Sequence, residues 1–156
     1  MATQTYTTNS AKETQKLGEA LGKKITAPCI IAFESDLGGG KTTFIQGLAK
    51  GLGIKGRIVS PTFVLEKIYP IPKKKFSLYH YDVYRLDADP LLTGEILENA
   101  RTNIVAIEWA EKIKKYLPKD TIWIKTTGIK NNQRKFQIYP VRSTLSSTKP
   151  YEPLNN

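Results

Sequence analysis

A glycine-rich segment that ends in lysine and threonine is the part of the sequence best suited to chemistry. Residues 35–42 read SDLGGGKT, which matches the phosphate-binding pattern G-x-x-x-x-G-K-[ST] except that Ser35 replaces the first glycine. Glycines without Cβ atoms let main-chain N–H groups approach the oxygens of a polyphosphate. Lys41 would reach the β and γ phosphates as a point charge, and Thr42 would offer its hydroxyl to Mg²⁺. The pattern predicts a nucleotide phosphate site; the alternative is a flexible turn with an incidental lysine.

The segments on either side of this loop are suited to position it. Residues 29–33 (CIIAF) are continuously apolar, which is typical of a strand buried on both faces. From Thr42 onward, apolar residues recur at helical spacing, and Gly53 is a plausible C-terminal cap. The order strand, glycine loop, helix directs main-chain N–H groups and a helix N-terminus toward one anion.

A carboxylate follows a second apolar segment. Residues 104–107 (IVAI) predict another buried strand, and Glu108 comes directly after it. Because the carboxyl ends of parallel strands face the ligand crevice in α/β sheets, we expect Glu108 to bind Mg²⁺ with Thr42 or to organise water. The alternative is an exposed glutamate at a strand end.

The remaining elements follow from caps, turns and periodicity. Ser10 and Glu13 form a capping-box pattern, and Asp89 with Pro90 reads as a helix start. The predicted elements are a helix over 10–23, a hairpin of 63–69 with 76–83, helices over 90–100 and 110–117, and a strand pair of 121–126 with 134–140. These elements predict an α/β fold with a central, mostly parallel but mixed sheet, flanking helices and an antiparallel hairpin.

Composition is typical of one globular domain. The chain has 156 residues, of which 40% are hydrophobic, so we expect a single domain over residues 1–142 and a frayed polar tail over 143–156. Cys29 is the only cysteine, and the sequence shows no basic-then-apolar leader and no apolar run of about 18 residues. A cytoplasmic, reduced protein is expected.

Charge is strongly positive and unevenly distributed. The 24 Lys and Arg residues against 14 Asp and Glu residues give a formal charge of +10. Residues 112–142 carry nine basic residues and only one acid, Asp120. This stretch is a candidate for contact with tRNA phosphates or with an acidic partner; a solvated face is the alternative.

Four segments together resemble the TsaE family, bacterial ATPases of tRNA threonylcarbamoyladenosine synthesis. They are DLGGGKTTF at 36–44, SPTF at 60–63, LYHYDVYRL at 78–86 and IEW at 107–109, in that order and spacing. The resemblance implies a P-loop NTPase fold, ATP and Mg²⁺ as cofactors, and ATP hydrolysis that supports repeated cycles of the partner proteins TsaB and TsaD. Ser35 departs from the family, which usually has glycine there.

The resemblance also implies roles for individual residues. Thr62 would lie in a mobile loop resembling a GTPase switch, Asp82 would order the attacking water or the metal shell, and Trp109 would cover the nucleotide. The ATP-binding set would comprise Asp36, Leu37, Gly38, Gly39, Gly40, Lys41, Thr42, Thr43 and Trp109, and the catalytic set Lys41, Glu108, Asp82 and Thr62.

Each of these roles has a structural alternative. Thr62 could simply belong to a turn into a strand, Asp82 could pair with Arg85, and Trp109 could be core packing. Strand alternation places His80 on the same face as Asp82, where we expect a packed or surface residue.

Two other function classes share the phosphate loop. A small-molecule P-loop kinase needs an acceptor pocket and a lid carrying arginines, yet the five arginines show no clustered lid pattern. The sequence offers no obvious arginine finger for a hydrolase either, and Arg85 is the nearest candidate. A nucleotide-gated binding module without useful hydrolysis needs no catalytic carboxylate. A GTPase is disfavoured because the sequence contains no N-K-x-D segment.

Overall fold

The computed structural model describes residues 2–35, 40–61, 65–85, 89–128 and 130–140, with Ser35 described by its main chain only. Within these residues seven strands form one mixed sheet. The elements are β1 Gln4–Thr8, α1 Ala11–Lys24, β2 Cys29–Ser35, α2 Lys41–Gly51, β3 Glu66–Pro70, β4 Ser77–Asp82, α3 Pro90–Ala100, β5 Ile104–Glu108, the 3-10 helix Ala110–Tyr116, β6 Ile122–Gly128 and β7 Arg134–Tyr139.

The strand order is β1-β7-β6-β2-β5-β4-β3. The four central strands, β6, β2, β5 and β4, run parallel, whereas β3, β7 and β1 each pair antiparallel with their neighbours. The carboxyl ends of the four parallel strands therefore meet at one edge of the sheet. This arrangement confirms the predicted α/β fold with its antiparallel hairpin, formed by β3 and β4.

The sheet separates two apolar cores, and β2 contributes to both. Ile31 and Phe33 pack on the side of α1 and α2, whereas Ile30 and Ala32 pack on the side of α3 and the 3-10 helix. All four of these side chains are buried. The continuous apolar run of β2 thus reflects burial on both faces, as the sequence predicts.

Helices α1 and α2 approach one another closely through glycines. A Cβ atom at Gly47 would lie 2.0 Å from the Gln15 carbonyl oxygen, and one at Gly18 would lie 2.2 Å from the Phe44 carbonyl oxygen. Gly22 and Gly51 make similarly close approaches. Any larger side chain would push the helices apart, so the glycines fix α2 against α1.

The helix caps follow the sequence with one difference. Ser10 caps α1 by accepting from the Glu13 N–H at 3.1 Å, and Asp89 caps α3 by accepting from the Leu91 N–H at 2.9 Å. The Glu13 carboxylate, however, accepts from the Asn9 N–H at 2.7 Å. The capping interaction thus extends one residue further toward the N-terminus than the standard capping box.

Two predicted segments lie outside the described residues, and one observed strand was not predicted. The polar tail at 143–156 and the start of the predicted hairpin, Phe63, lie outside the described residues. Strand β1 was not predicted from the sequence. In the part of the chain that the structure describes, no helix combines the length and apolar character that crossing a bilayer requires.

Candidate functional site

A cavity of about 390 Å³ lies at the carboxyl edge of the parallel strands, next to the first turn of α2. The beginning of α2 forms one wall and the ends of β4 and β5 form another. The described residues that line this cavity, called the phosphate pocket below, are Ser10, Ala11, Thr14, Gly40, Lys41, Thr42, Thr43, Ser60, Asp82, Glu108, Trp109, Asn132 and Arg134.

Strand register explains why two carboxylates meet in the pocket. Glu108 is the last residue of β5, and it is in register with Phe33 of β2 and with Asp82 of β4. Alternation along β5 places Glu108 on the same face as Ala106, which packs in the core formed with α1 and α2. The carboxylates therefore face the helix that follows the glycine loop.

Thr42 and Glu108 are joined directly across the pocket. The Thr42 hydroxyl donates to Glu108 Oε1 at 2.7 Å, although the two residues are 66 positions apart in the chain. Glu108 is only 3% exposed. Burial raises the pKa of this carboxyl, but hydrogen bonds from His80 and Thr42 and the nearby charge of Lys41 outweigh burial and lower it. Glu108 is therefore ionised at neutral pH.

His80 holds the other oxygen of the same carboxylate. Its Nε2 atom lies 2.8 Å from Glu108 Oε2, and the imidazole is completely buried. An ionised carboxylate can only accept, so Nε2 carries the hydrogen. Among the described residues, Nδ1 has no hydrogen-bond partner. Sequence reasoning placed His80 on the face of Asp82 and expected a packed or surface residue; burial agrees, but the contact with Glu108 was not foreseen.

Asp82 lies at the end of β4 and lines the pocket. It is 9% exposed, and its Oδ1 atom accepts from the Tyr84 N–H at 2.9 Å. This main-chain contact fixes the side chain where the strand ends. A carboxylate is also a group that can accept a hydrogen bond from water.

Lys41 and Trp109 meet at the wall of the pocket. Lys41 Nζ lies 3.8 Å from the ring centroid of Trp109, and Lys41 is only 7% exposed. Trp109 has a left-handed backbone with φ 62° and ψ 33°, which turns the chain sharply after β5. Its ring also contacts Tyr84, at a centroid distance of 4.6 Å. Trp109 thus lines the pocket and packs against the second core, which agrees with the core-packing interpretation; its contact with a nucleotide stays a prediction.

The oxygen ligands present fit Mg²⁺. The Thr42 hydroxyl and the Glu108 carboxylate are hard oxygen donors at one point of the pocket. Within the described ranges no group of three or more His, Cys, Asp or Glu side chains is arranged to hold a metal. Mg²⁺ usually takes one or two protein ligands and completes its shell with phosphates and water, so two ligands are sufficient.

Part of the predicted site is not described. Asp36, Leu37, Gly38, Gly39 and Thr62 lie outside the described residues. Gly40 is described, and it has a left-handed backbone with φ 85° at the start of α2. A residue with a side chain would be strained there, which accounts for glycine at this position.

The sequence analysis missed part of the lining of the pocket. Asn132 and Arg134 line it, together with residues at the start of α1. The Arg134 guanidinium donates to the main-chain oxygens of Asn131 and Gln133 at 3.2 and 2.9 Å. Arg85, the nearest arginine by sequence reasoning, is not among the described lining residues. No local signal marks Arg134, because its place depends on the position of β7 in the sheet.

A glycine loop between a buried parallel strand and a helix, with a threonine of that helix bonded to a carboxylate on the neighbouring strand, defines a P-loop NTPase fold. The family model "Threonylcarbamoyl adenosine biosynthesis protein TsaE" matches residues 8–136. The chain belongs to the TsaE family, which acts in tRNA threonylcarbamoyladenosine biosynthesis.

Individual relatives agree. The chain is 40% identical over 140 residues to the tRNA threonylcarbamoyladenosine biosynthesis protein TsaE of Nostoc sp., covering 86% of this chain and 85% of that protein. It is 35% identical over 136 residues to the Rickettsia prowazekii protein of the same name, covering 86% of this chain and 93% of the relative. The crystal structure of Bacillus subtilis YdiB superposes with a TM-score of 0.73 and 29% identity, over 88% of this chain and 84% of YdiB.

Proposed function

We propose that this protein is a Mg²⁺-dependent ATPase that works with TsaB and TsaD in the threonylcarbamoyladenosine modification of tRNA in the cytoplasm. The observation that carries the proposal is the 2.7 Å hydrogen bond from Thr42 to Glu108, beside the Lys41 ammonium. These three groups are the cation and the metal ligands that phosphoryl transfer requires. Membership of the TsaE family supports the pathway.

The chemistry is phosphoryl transfer to water. Thr42 and Glu108 would hold Mg²⁺, which supplies positive charge to the phosphate oxygens when it is bound. Lys41 binds the β and γ phosphate oxygens, and the N–H groups at the start of α2 contribute the positive end of the helix dipole. Asp82 accepts a hydrogen from the attacking water and so orients it. No covalent nucleophile is needed, since positioning and charge account for most of the catalysis.

Arrival of the phosphates displaces Lys41 from Trp109. In the structure the ammonium lies over the indole ring, at 3.8 Å from its centroid. A cation over an indole ring is stabilised by about 0.5–2 kcal/mol, which is less than a charge-assisted bond to phosphate provides in a dry pocket. Trp109 therefore holds the lysine inside the pocket until the nucleotide binds.

Asn132 is a candidate contact for the nucleoside. It lines the pocket together with Arg134 and the start of α1. An asparagine amide offers both donors and an acceptor, as recognition of a purine edge requires.

Reconstitution from purified components tests the proposal. Multiple-turnover modification of tRNA by TsaB and TsaD is measured with wild type, Lys41→Ala and Glu108→Gln, alongside ATP hydrolysis. Each variant should lose about 100-fold or more in hydrolysis and in later cycles of modification, because transition-state charge is left unbalanced. Lys75→Ala and Glu98→Gln remove the same groups from exposed positions and should match wild type.

Two outcomes would contradict the proposal. Unchanged modification by Glu108→Gln over many cycles would favour a binding module without useful hydrolysis. Consumption of ATP only in the presence of a small-molecule acceptor would favour a kinase.

A further inference from the structure

A second cavity, of about 720 Å³, lies where α1, α2 and the chain after α2 meet. None of its described lining residues belongs to the phosphate pocket. Five of its lining side chains are cations and one is an acid, Glu19. We call it the basic groove, defined by Lys12, Lys16, Lys50, Lys55 and Arg57.

The positive charge of the basic groove is largely uncompensated. Glu19 is shared between Lys23, at 3.0 Å, and Lys50, at 3.7 Å. In the described part of the chain, no carboxylate lies within 4.0 Å of the charged groups of Lys12, Lys16, Lys55 or Arg57. All four residues are exposed. Cations converging on one concave surface raise the local positive potential and attract a polyanion.

Local structure fixes both the floor and the rim of the groove. Gln15 donates to Gln46 at 3.0 Å, and Gln46 donates to the Ile58 carbonyl oxygen at 3.1 Å, which ties α1 to α2 and α2 to the following chain. Gly56 has a φ of 107°, a conformation that glycine adopts without strain. This turn separates Lys55 from Arg57 at the rim. The cations are therefore carried on ordered backbone.

The exposed chemistry of the groove matches a phosphate backbone better than a protein surface. Its apolar lining residues, Ile54 and Ile58, are only 9% and 4% exposed. Protein–protein interfaces are enriched in aromatic and apolar side chains at their centres and depleted in lysine. Contacts to nucleic acid phosphates, in contrast, are made by Lys, Arg and amide side chains.

We infer that the basic groove binds the sugar–phosphate backbone of a tRNA. The family acts in tRNA modification, so the polyanion of matching chemistry is the RNA substrate of its pathway. The inference goes beyond ATP hydrolysis and adds an RNA contact on a different surface from the 112–142 stretch that the sequence suggested. The contact is to backbone phosphates and carries no sequence preference of its own.

Fluorescence anisotropy with a labelled tRNA transcript tests the groove, using the full chain without nucleotide. The triple variant Lys16→Ala, Lys55→Ala, Arg57→Ala should weaken binding about tenfold or more and reduce the salt slope of log K by about two to three, one phosphate contact per cation. The matched control Lys73→Ala, Lys74→Ala, Lys75→Ala removes equal charge from exposed positions outside both the groove and the 112–142 stretch, and it should stay within about twofold of wild type.

Further variants make the result decisive. The single variant Arg57→Ala should lower the slope by about one, which provides a test even if the triple variant is poorly folded by circular dichroism. Exchanging the cations, with Lys16→Arg, Lys55→Arg and Arg57→Lys, should retain binding because charge is preserved.

Two results would overturn the inference. Equal weakening by the groove and control triples would show diffuse attraction rather than a site. Unchanged tRNA binding by the groove triple, combined with lost binding to TsaB and TsaD, would assign the groove to an acidic protein partner. Because nucleotide is omitted, failure of the ATPase proposal would leave these measurements unaffected, and failure here would leave the ATPase proposal standing.

Discussion

His80 and Glu108 form a buried pair in which Nε2 of the imidazole lies 2.8 Å from Oε2 of the carboxylate. Thr42 occupies the other oxygen, so the carboxylate is held from two sides. A group fixed in this way needs no reorientation when a ligand arrives. Under the proposed function, in which Glu108 binds Mg²⁺, His80 is a positioning residue that acts through Glu108.

Replacing His80 should impair the site through Glu108. His80→Ala leaves Oε2 without its donor, so we expect ATP hydrolysis to fall about 10–100-fold and half-maximal activity to need more Mg²⁺. His80→Gln restores an amide donor and should recover part of the loss. Tyr79→Phe alters the adjacent residue of β4, on the opposite face, and should match wild type. An unchanged Mg²⁺ requirement in His80→Ala would show that His80 contributes only packing.

Tryptophan emission should report nucleotide binding. Under the proposed function Lys41 exchanges its contact with the Trp109 ring for phosphate, which changes the electrostatic surroundings of the indole. With Trp123→Phe, the remaining emission comes from Trp109, and it should change on titration with ATP and Mg²⁺. The same titration of Trp109→Phe should show little change, because Trp123 is not a lining residue of the phosphate pocket. A response carried entirely by Trp123 would be inconsistent with this arrangement.

Alanine at two helical glycines should change stability in opposite directions. Gly47→Ala forces a Cβ to 2.0 Å from the Gln15 carbonyl oxygen, so the free energy of unfolding should fall by about 1–3 kcal/mol. Gly94 in α3 has no atom within 4 Å of such a Cβ, and Gly94→Ala should raise it by about 0.5–1 kcal/mol. Urea unfolding of both variants measures the difference. Equal effects at the two sites would contradict the close helix contact.

Stability should fall in alkaline solution because of Cys29. Burial, aided by the charge of Asp120, raises the pKa of the thiol to about 12. The thiol of the unfolded chain ionises at about pH 8.5, whereas the folded thiol stays protonated. The contribution of this thiol to the stability of the folded state is therefore fully present below that pH, and it is lost as the pH rises toward the pKa of the folded thiol. Between about pH 8 and about pH 9.5 the free energy of unfolding should drop by about 1 kcal/mol more in wild type than in Cys29→Ala.

A thiol reagent supplies an independent check on Cys29. The native thiol is buried and neutral, so it should be silent near neutral pH and react only after urea unfolding. Rapid reaction of the native protein would contradict the burial.

Residues of the phosphate pocket could be predicted where the local sequence pattern identifies the end of a strand or the start of a helix. The apolar run before Glu108 and the glycines before Lys41 identify strand ends and a loop, and parallel strands bring their carboxyl ends together. His80 was placed on the correct face by alternation, but its partner lies on another strand. Hydrogen bonding across strands depends on register, which local sequence does not encode.

The position of Arg134 in the pocket depends on the order of the strands in the sheet. Arg134 reaches the pocket because β7 lies beside β6 and pairs with β1, an edge strand formed by the mostly polar residues QTYTT. A short edge strand that buries only part of one face carries little hydrophobic periodicity, so β1 was missed. Arg134 could not be assigned without it.

The glycine contact between α1 and α2 has a mechanical consequence. Two helices that touch at their main chains cannot slide past one another, so Lys41 and Thr42 stand on a fixed frame together with α1. If the protein hydrolyses ATP as proposed, we expect a shape change between the triphosphate and diphosphate states to arise away from this frame, for example at β3, which forms the outer edge of the sheet and pairs with β4. The distance between two spin labels, one on α1 and one on α2, should stay the same with ATP and with ADP. The distance between a label on α2 and a label on β3 should differ between the two nucleotides.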